Sequence, residues 1–230
     1  MNRILSIEKL DRYGRVTAEE PENTEDGAGC RQAGPRSRSV RMRVTPAEGE
    51  PFTISGRMVC HFRLEQGCEL TDDVYEEIFR ALRSSCMQRC GMLLGKRDYT
   101  QSRLRTKLQE AGYPSSVIGE CIEKLREAHY LDDRRFAQSY VRSHLRDRSR
   151  LRISPDLKER GIPENLIEEA FAAAAEEMDP EQAQMDQIRR WLHKRGYDPG
   201  TADYALKQKT MMSLHRKGFE TELIRRAMDE

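Results

Sequence analysis

LQEAGYPSSVIGECI at 108–122, LKERGIPENLIEEAF at 157–171 and LHRKGFETELIRRAM at 214–228 are one phrase written three times. In each copy a Leu is followed four residues later by a Gly and then by an apolar residue: Leu108, Gly112, Tyr113; Leu157, Gly161, Ile162; Leu214, Gly218, Phe219. A branched aliphatic and an Ile come next (Val117 and Ile118, Leu166 and Ile167, Leu223 and Ile224), and Ile122, Phe171 and Met228 close the phrase. The residue before the last is small each time: Cys121, Ala170, Ala227. Spacing within the phrase is invariant, whereas the three glycines fall 49 and 57 residues apart. A fixed supersecondary unit with a variable remainder is the mark of a repeat architecture.

A Gly four residues after a helical Leu suits the position just past a helix, where the backbone turns left-handed. Pro114 and Pro163 then sit where a new helix begins, and Pro is tolerated at a first helical position. The apolar residues that follow share one helical face. Each copy therefore reads as helix, tight turn, helix. A further apolar helix precedes each one. Thr71-Asp72 opens the first, carrying Val74, Ile78 and Leu82 and running to Leu93-Leu94. Asp132 caps the second, with Leu131 and Phe136 placed as a hydrophobic staple and a stripe of Phe136, Ala137, Tyr140, Val141 and Leu145. Asp179-Pro180-Glu181-Gln182 opens the third, whose stripe is Ile188, Trp191 and Leu192. The predicted fold is all-α: three tandem three-helix repeats in a curved, elongated array, at 71–130, 131–178 and 179–230.

Ahead of the repeats, 17–39 is rich in Glu, Gly, Pro and Ser and lacks any large apolar residue, so it reads as a disordered insertion. Val40 to Val44 alternates apolar and basic residues, Pro46 to Glu50 reads as a turn, and Phe52 to Ser55 returns. This places a small β-hairpin region at 40–70. Val59 to Leu64 is expected to add a short apolar element, with Cys60-His61 in a strand. The segment 1–16, through Ile4, Leu5 and Ile7, offers another strand.

The 230 residues are 34% charged with a net charge of only +1, so no global basic excess draws the chain to polyanions. No stretch approaches the apolar length of a membrane span, and MNRILSIEKLDRYGR lacks an apolar signal core, which points to the cytoplasm. Of the six cysteines, Cys86 and Cys90 lie one helical turn apart, but no second Cys or His pair completes a zinc set. Packing thiols and no metal site are expected. Phosphate-cradling Gly loops, nucleophile elbows and metal-ligand motifs are all missing, which argues against an enzyme and against a cofactor.

Charge is uneven along the chain. Arg134, Arg135, Arg142, Arg146, Arg148, Arg150, Arg152, Lys158 and Arg160 face only Asp147, Asp156 and Glu159 in their window, and the first repeat adds Arg103, Arg105 and Lys107. Such stretches attract nucleic acid or acidic protein surfaces. A helix-turn-helix reading, in which a second helix enters the major groove, is the alternative function. It is weakened by the acids on the candidate reading helices: Glu120, Glu123 and Glu127 in one, Glu164, Glu168 and Glu169 in another. No aromatic residues interleave the basic ones.

The stretch Leu131-Asp132-Asp133-Arg134-Arg135-Phe136-Ala137-Gln138-Ser139-Tyr140-Val141, with the Gly-turn phrases around it, resembles the RecX family of regulators of the bacterial RecA recombinase. Gly161-Ile162-Pro163-Glu164 is similar to its second unit, and Lys217-Gly218-Phe219-Glu220 with Leu223-Ile224 to its last. Ile4 to Glu8, Glu48-Gly49-Glu50 with Phe52, and Leu64, Gly67 and Leu70 look like the opening strand, hairpin turn and helix entry of longer members. Two departures stand out: the 17–39 insertion, and Pro155 within Ser149 to Leu157. Pro155 is expected to shorten the middle helix of the second repeat, with Ser154 as its cap. The resemblance implies a monomeric, non-catalytic partner of RecA. Such a protein lies along the RecA–DNA filament and suppresses ATP hydrolysis, strand exchange and co-protease action, so regulating recombination, DNA repair and the SOS response. Direct DNA binding would be weak.

Overall fold

The computed structural model describes residues 2–11, 14–17, 40–145, 148–177 and 180–229. The 17–39 insertion (all but its first residue), Arg146 and Asp179 lie outside them. The chain forms two units, Met1–Asp98 with Leu104–Leu131, and Tyr99–Arg103 with Asp132–Glu230.

In the first unit, β1 (Asn2–Leu10), β2 (Arg41–Pro46), β3 (Phe52–Ser55) and β4 (Glu69–Leu70) make an antiparallel sheet ordered β3-β2-β1-β4. The anticipated hairpin is β2–β3, and the N-terminal segment does join it. Val44 pairs with both Ile7 and Phe52 and is completely buried. Phe52 meets the ring of Phe79 edge-on, with centroids 5.7 Å apart, and so seats the sheet on the helix that follows it.

The expected strand through Cys60-His61 is instead a short helix, α1 (Gly56–His61). The reason is local: Ser55 Oγ accepts the Met58 N–H at 3.3 Å, a helix cap, and α1 has no buried residue to hold it as a strand. The buried apolar residue of that segment, Leu64, lies beyond it.

α2 (Asp72–Leu94) starts at Thr71, whose Oγ1 accepts the Val74 N–H at 3.4 Å. Its buried face carries Ile78, Phe79, Leu82, Cys86 and Cys90. α3 (Gln101–Glu110) and α4 (Ser115–Glu127) complete the first three-helix repeat. Pro114 is the N-cap of α4, one residue earlier than expected, and has no side-chain donor or acceptor to offer. Glu50, from the β2–β3 turn, takes over: its Oε2 accepts the Ser115 N–H at 2.6 Å, a carboxylate at a helix N-terminus. Pro163 is placed alike, its carbonyl accepting from Leu166 and Ile167.

The second unit holds α5 (Asp133–His144), α6 (Arg150–Glu159) and α7 (Glu164–Glu177), then α8 (Pro180–Lys194), α9 (Tyr204–Arg216) and α10 (Thr221–Asp229). Each trio has its own core. Ala137, Val141, Leu145, Ile153, Leu157, Ile162, Ile167, Ala170 and Phe171 build one. Met185, Ile188, Leu192, Leu214, Phe219, Leu223, Ile224 and Met228 build the other. Asp132 caps α5 as predicted, accepting the Arg135 N–H at 2.9 Å. Phe136 and Tyr140 lie half-buried against the first core. Pro155 does not shorten α6. The helix starts at Arg150, with Ser149 rather than Ser154 at its N-cap, and Pro155 sits inside. One lost backbone hydrogen bond is outweighed by Ile153 and Leu157, both fully buried, each worth about 1.5–3 kcal/mol.

All three Gly turns close identically. The N–H of Tyr113, Ile162 and Phe219 returns to the carbonyl of Leu108, Leu157 and Leu214, at 3.2, 3.1 and 3.3 Å. This six-to-one bond requires a left-handed residue between, and Gly112, Gly161 and Gly218 supply φ of +86°, +80° and +84°.

The turns are also where neighbours lock together. Thr100 Oγ1, just before α3, donates to the Arg160 carbonyl at 2.6 Å. Ser149 Oγ, just before α6, donates to the Lys217 carbonyl at 2.8 Å. Arg160 and Lys217 each immediately precede a turn glycine. Thr100 and Ser149 are each 1% exposed, so these are buried, satisfied hydroxyls. A methyl on Gly161 would lie 2.3 Å from Ser102 Cβ, and one on Gly218 2.6 Å from Ser149 Oγ. Thus glycine is required twice over, by backbone sign and by close approach.

Candidate functional site

The sequence offers cations rather than catalysts, so the question is which of them the fold gathers. Most are tied to neighbours. Arg103 donates to Glu159 at 2.7 Å, Lys107 to Glu110 at 2.7 Å, and Arg134 pairs with Glu169 at 2.9 Å. Lys158 pairs with Glu164. Arg150 lies over the Phe171 ring at 4.7 Å and Arg160 over Tyr140 at 5.0 Å. Arg105, Arg135 and Arg142 are exposed. These pairs are mostly solvent-exposed, so each adds little to stability. Among the described residues, these contacts hold Arg134, Arg150, Lys158 and Arg160 against partners on α5 and α7.

Arg103 and Arg152 stand three residues after Thr100 and Ser149. Each reaches the end of the following repeat's middle helix: Arg103 at Glu159, Arg152 at the Arg216 carbonyl, 3.0 Å away. Their first role is at the junctions between repeats.

Two of the predicted residues, Arg148 and Arg152, do converge. They line a groove of about 960 Å³ in the second unit, together with Arg190, Lys194 and Lys217. Its apolar parts are Leu151, Pro155, Trp191 and Phe219. Asp156 is the one acid among the described residues of its wall, and Arg148 already holds it at 2.6 Å. The groove is therefore cationic with an aromatic wall, able to take phosphates or carboxylates flanked by an apolar group. Gln187 sits in its lining, almost fully buried. Its Nε2 donates to the Leu145 carbonyl, and its Oε1 is left without a partner.

Arg190, Lys194, Lys217 and Trp191 were not among the candidate binding residues expected from the sequence, which placed Trp191 in an apolar stripe and Lys217 in a Gly turn. Arg190 and Lys194 are four residues apart on α8, the spacing of one helix face, which was the available signal. Lys217 joins them only through the turn at Gly218. Among the described residues no group of His, Cys, Asp and Glu side chains is arranged to hold a metal ion, and no helix is long and apolar enough to cross a membrane.

Comparison with known families matches each trio of helices in order. The first RecX three-helix domain matches 86–125, the second 132–170 and the third 182–228, together more than half of the chain. The chain belongs to the RecX family. Its relatives include the regulatory protein RecX of Geobacillus kaustophilus, 29% identical over 79% of this chain and 68% of that one. The regulatory protein RecX of Trichlorobacter lovleyi is 28% identical over 64% of this chain and 96% of its own. Among solved structures, a regulatory protein RecX superposes with a TM-score of 0.59 over the whole of both chains at 21% identity. RecX from Lactobacillus salivarius gives 0.55 over 65% of this chain and 96% of that one, also at 21%. At that identity the structures speak for the fold alone. The three-helix repeats predicted from the Gly phrases are thus the family's own domains, and the role they indicate is regulatory.

Proposed function

We propose that this chain binds RecA and its nucleoprotein filament and lowers the filament's ATPase, strand-exchange and co-protease activities, acting as a cytoplasmic monomer without catalysis of its own. The observation that carries this is the match to all three RecX domains in the family's order. The reading is also consistent physically. A repeat array offers long surfaces suited to a polymeric partner. The groove of the second unit supplies cations for acidic protein surface or for DNA phosphates at the filament. Contact with DNA alone is weak on this reading, because the net charge is +1 and the groove gathers only a few of the cations. The test is binding to RecA filaments assembled on fluorescently labelled single-stranded DNA, compared with the same DNA free of RecA. Binding that requires RecA supports the proposal. Equal binding to naked DNA would favour the helix-turn-helix alternative.

A further inference from the structure

The groove of the second unit has two helical walls. α6 contributes Leu151, Arg152, Pro155 and Asp156, and α8 contributes Arg190, Trp191 and Lys194. Both sets recur at helical spacing, so each helix lays one face along the groove. Among the described residues of the lining, five cations (Arg148, Arg152, Arg190, Lys194 and Lys217) stand against one acid, Asp156, which Arg148 holds.

The apolar part of the α6 wall is not something the repeat's core requires. Leu151 is 67% exposed, and Pro155 is exposed as well. They stand six and two residues before Leu157, and the same places before Leu108 hold Ser102 and Thr106, both polar and exposed. The first repeat thus packs without a large apolar side chain at either place. Pro155 also has no N–H, so the Leu151 carbonyl, one turn back on the same face, lacks its usual helical donor.

We propose that this groove docks an acidic peptide segment carrying a large apolar side chain. The acids meet Arg152, Arg190, Lys194 and Lys217, and the apolar side chain lies on Leu151 and Pro155. A peptide N–H can serve the Leu151 carbonyl. A nucleic-acid strand fits less well. Its phosphates match the cations, but its phosphodiester backbone carries no N–H and its bases need open aromatic faces. Trp191 offers at most one, since the Arg195 guanidinium lies 4.6 Å from its ring centroid, and Phe219 is only 6% exposed. Assigning the groove to a protein partner rests on the regulatory reading, but its chemistry can be tested without RecA.

The test uses the full chain and the fluorescence of Trp191, its single tryptophan, with titration calorimetry beside it. The probe is a short synthetic peptide of glutamates and leucines. The comparisons are an all-glutamate peptide and oligothymidylate of the same net charge. The mixed peptide should bind saturably, shift the Trp191 emission and bind about tenfold tighter than either comparison, the scale of one buried leucine. Salt should weaken it. Leu151→Ser, a polar residue at an exposed position as in the first repeat, should fold and lower the mixed peptide to the all-glutamate level. Lys194→Glu with Lys217→Glu should abolish binding of both peptides. No binding of the mixed peptide by either measure, equal binding of the all-glutamate peptide, equal or tighter binding of oligothymidylate, or an unaffected Leu151→Ser would each overturn the proposal. Inhibition of RecA by a chain that fails to bind the mixed peptide would overturn the groove and leave the regulatory reading standing. Peptide binding by a chain without effect on RecA would support the groove and overturn that reading.

Discussion

Thr100 Oγ1 donates to the Arg160 carbonyl at 2.6 Å, and Ser149, its counterpart one repeat later, does the same to Lys217 at 2.8 Å. In each case the cap of one middle helix satisfies the end of the next repeat's middle helix. Asp203 holds that place in the last repeat. It accepts the Leu206 N–H at 2.7 Å.

Thr100→Val keeps the shape and removes the hydroxyl, which donates to the part-buried Arg160 carbonyl and also accepts the Arg103 N–H at 3.2 Å. We expect a loss of about 1–3 kcal/mol in urea denaturation, with helicity retained. Ser149→Ala should cost a similar amount. Unchanged stability in both variants would mean that these bonds do not couple the repeats.

Gly161 and Gly196 both have positive φ, yet only Gly161 faces a neighbour; nothing lies within 4 Å of a methyl at Gly196. Gly196→Ala should therefore cost only the left-handed backbone term, about 1–2 kcal/mol. Gly161→Ala should cost about 1–3 kcal/mol more, because it collides with Ser102. Adding Ser102→Gly should recover part of that excess. Equal melting temperatures for the two single variants would show that Ser102 yields without cost.

Asp133 gives a pH signature. Its carboxyl accepts the Gln101 N–H at 2.9 Å, but burial is the larger influence and raises its pKa above 3.8, with Asp132 adding to the rise. Between the unfolded and folded pKa the native state binds more protons than the unfolded one. The group's favourable contribution is therefore fully present below about 3.8 and is lost as pH rises through the folded value. Asp133→Asn should become progressively more stable than the parent as pH is raised from 3 to 7. A constant difference across that range would exclude the shift.

The repeats were legible because their determinants are local. The Gly of each turn, the Leu five residues before the closing N–H, and caps such as Thr71 and Asp132 act within a few residues. What stayed hidden is what depends on distant partners. Glu50 capping α4 spans 65 residues of sequence and Thr100 meeting Arg160 spans 60. Pro155 read as a breaker because a local rule could not weigh the burial of Ile153 and Leu157. Of the cationic window at 134–160, Arg148 and Arg152 line the groove, while Arg134, Arg150, Lys158 and Arg160 meet partners on α5 and α7. The groove took Lys217 from a turn far beyond that window.

RecA-catalysed ATP hydrolysis on single-stranded DNA, followed while this chain is titrated up to equimolar amounts, tests the regulatory reading most directly. The wild-type chain should lower the rate, and the inhibition should weaken as salt is raised. Arg190→Glu with Lys194→Glu, folded by circular dichroism, should inhibit at least tenfold less effectively, a loss of about 1.4 kcal/mol in binding. Full inhibition by that variant would remove the groove from the mechanism. A wild-type chain that leaves RecA hydrolysis unchanged, in every nucleotide state, would contradict the central claim.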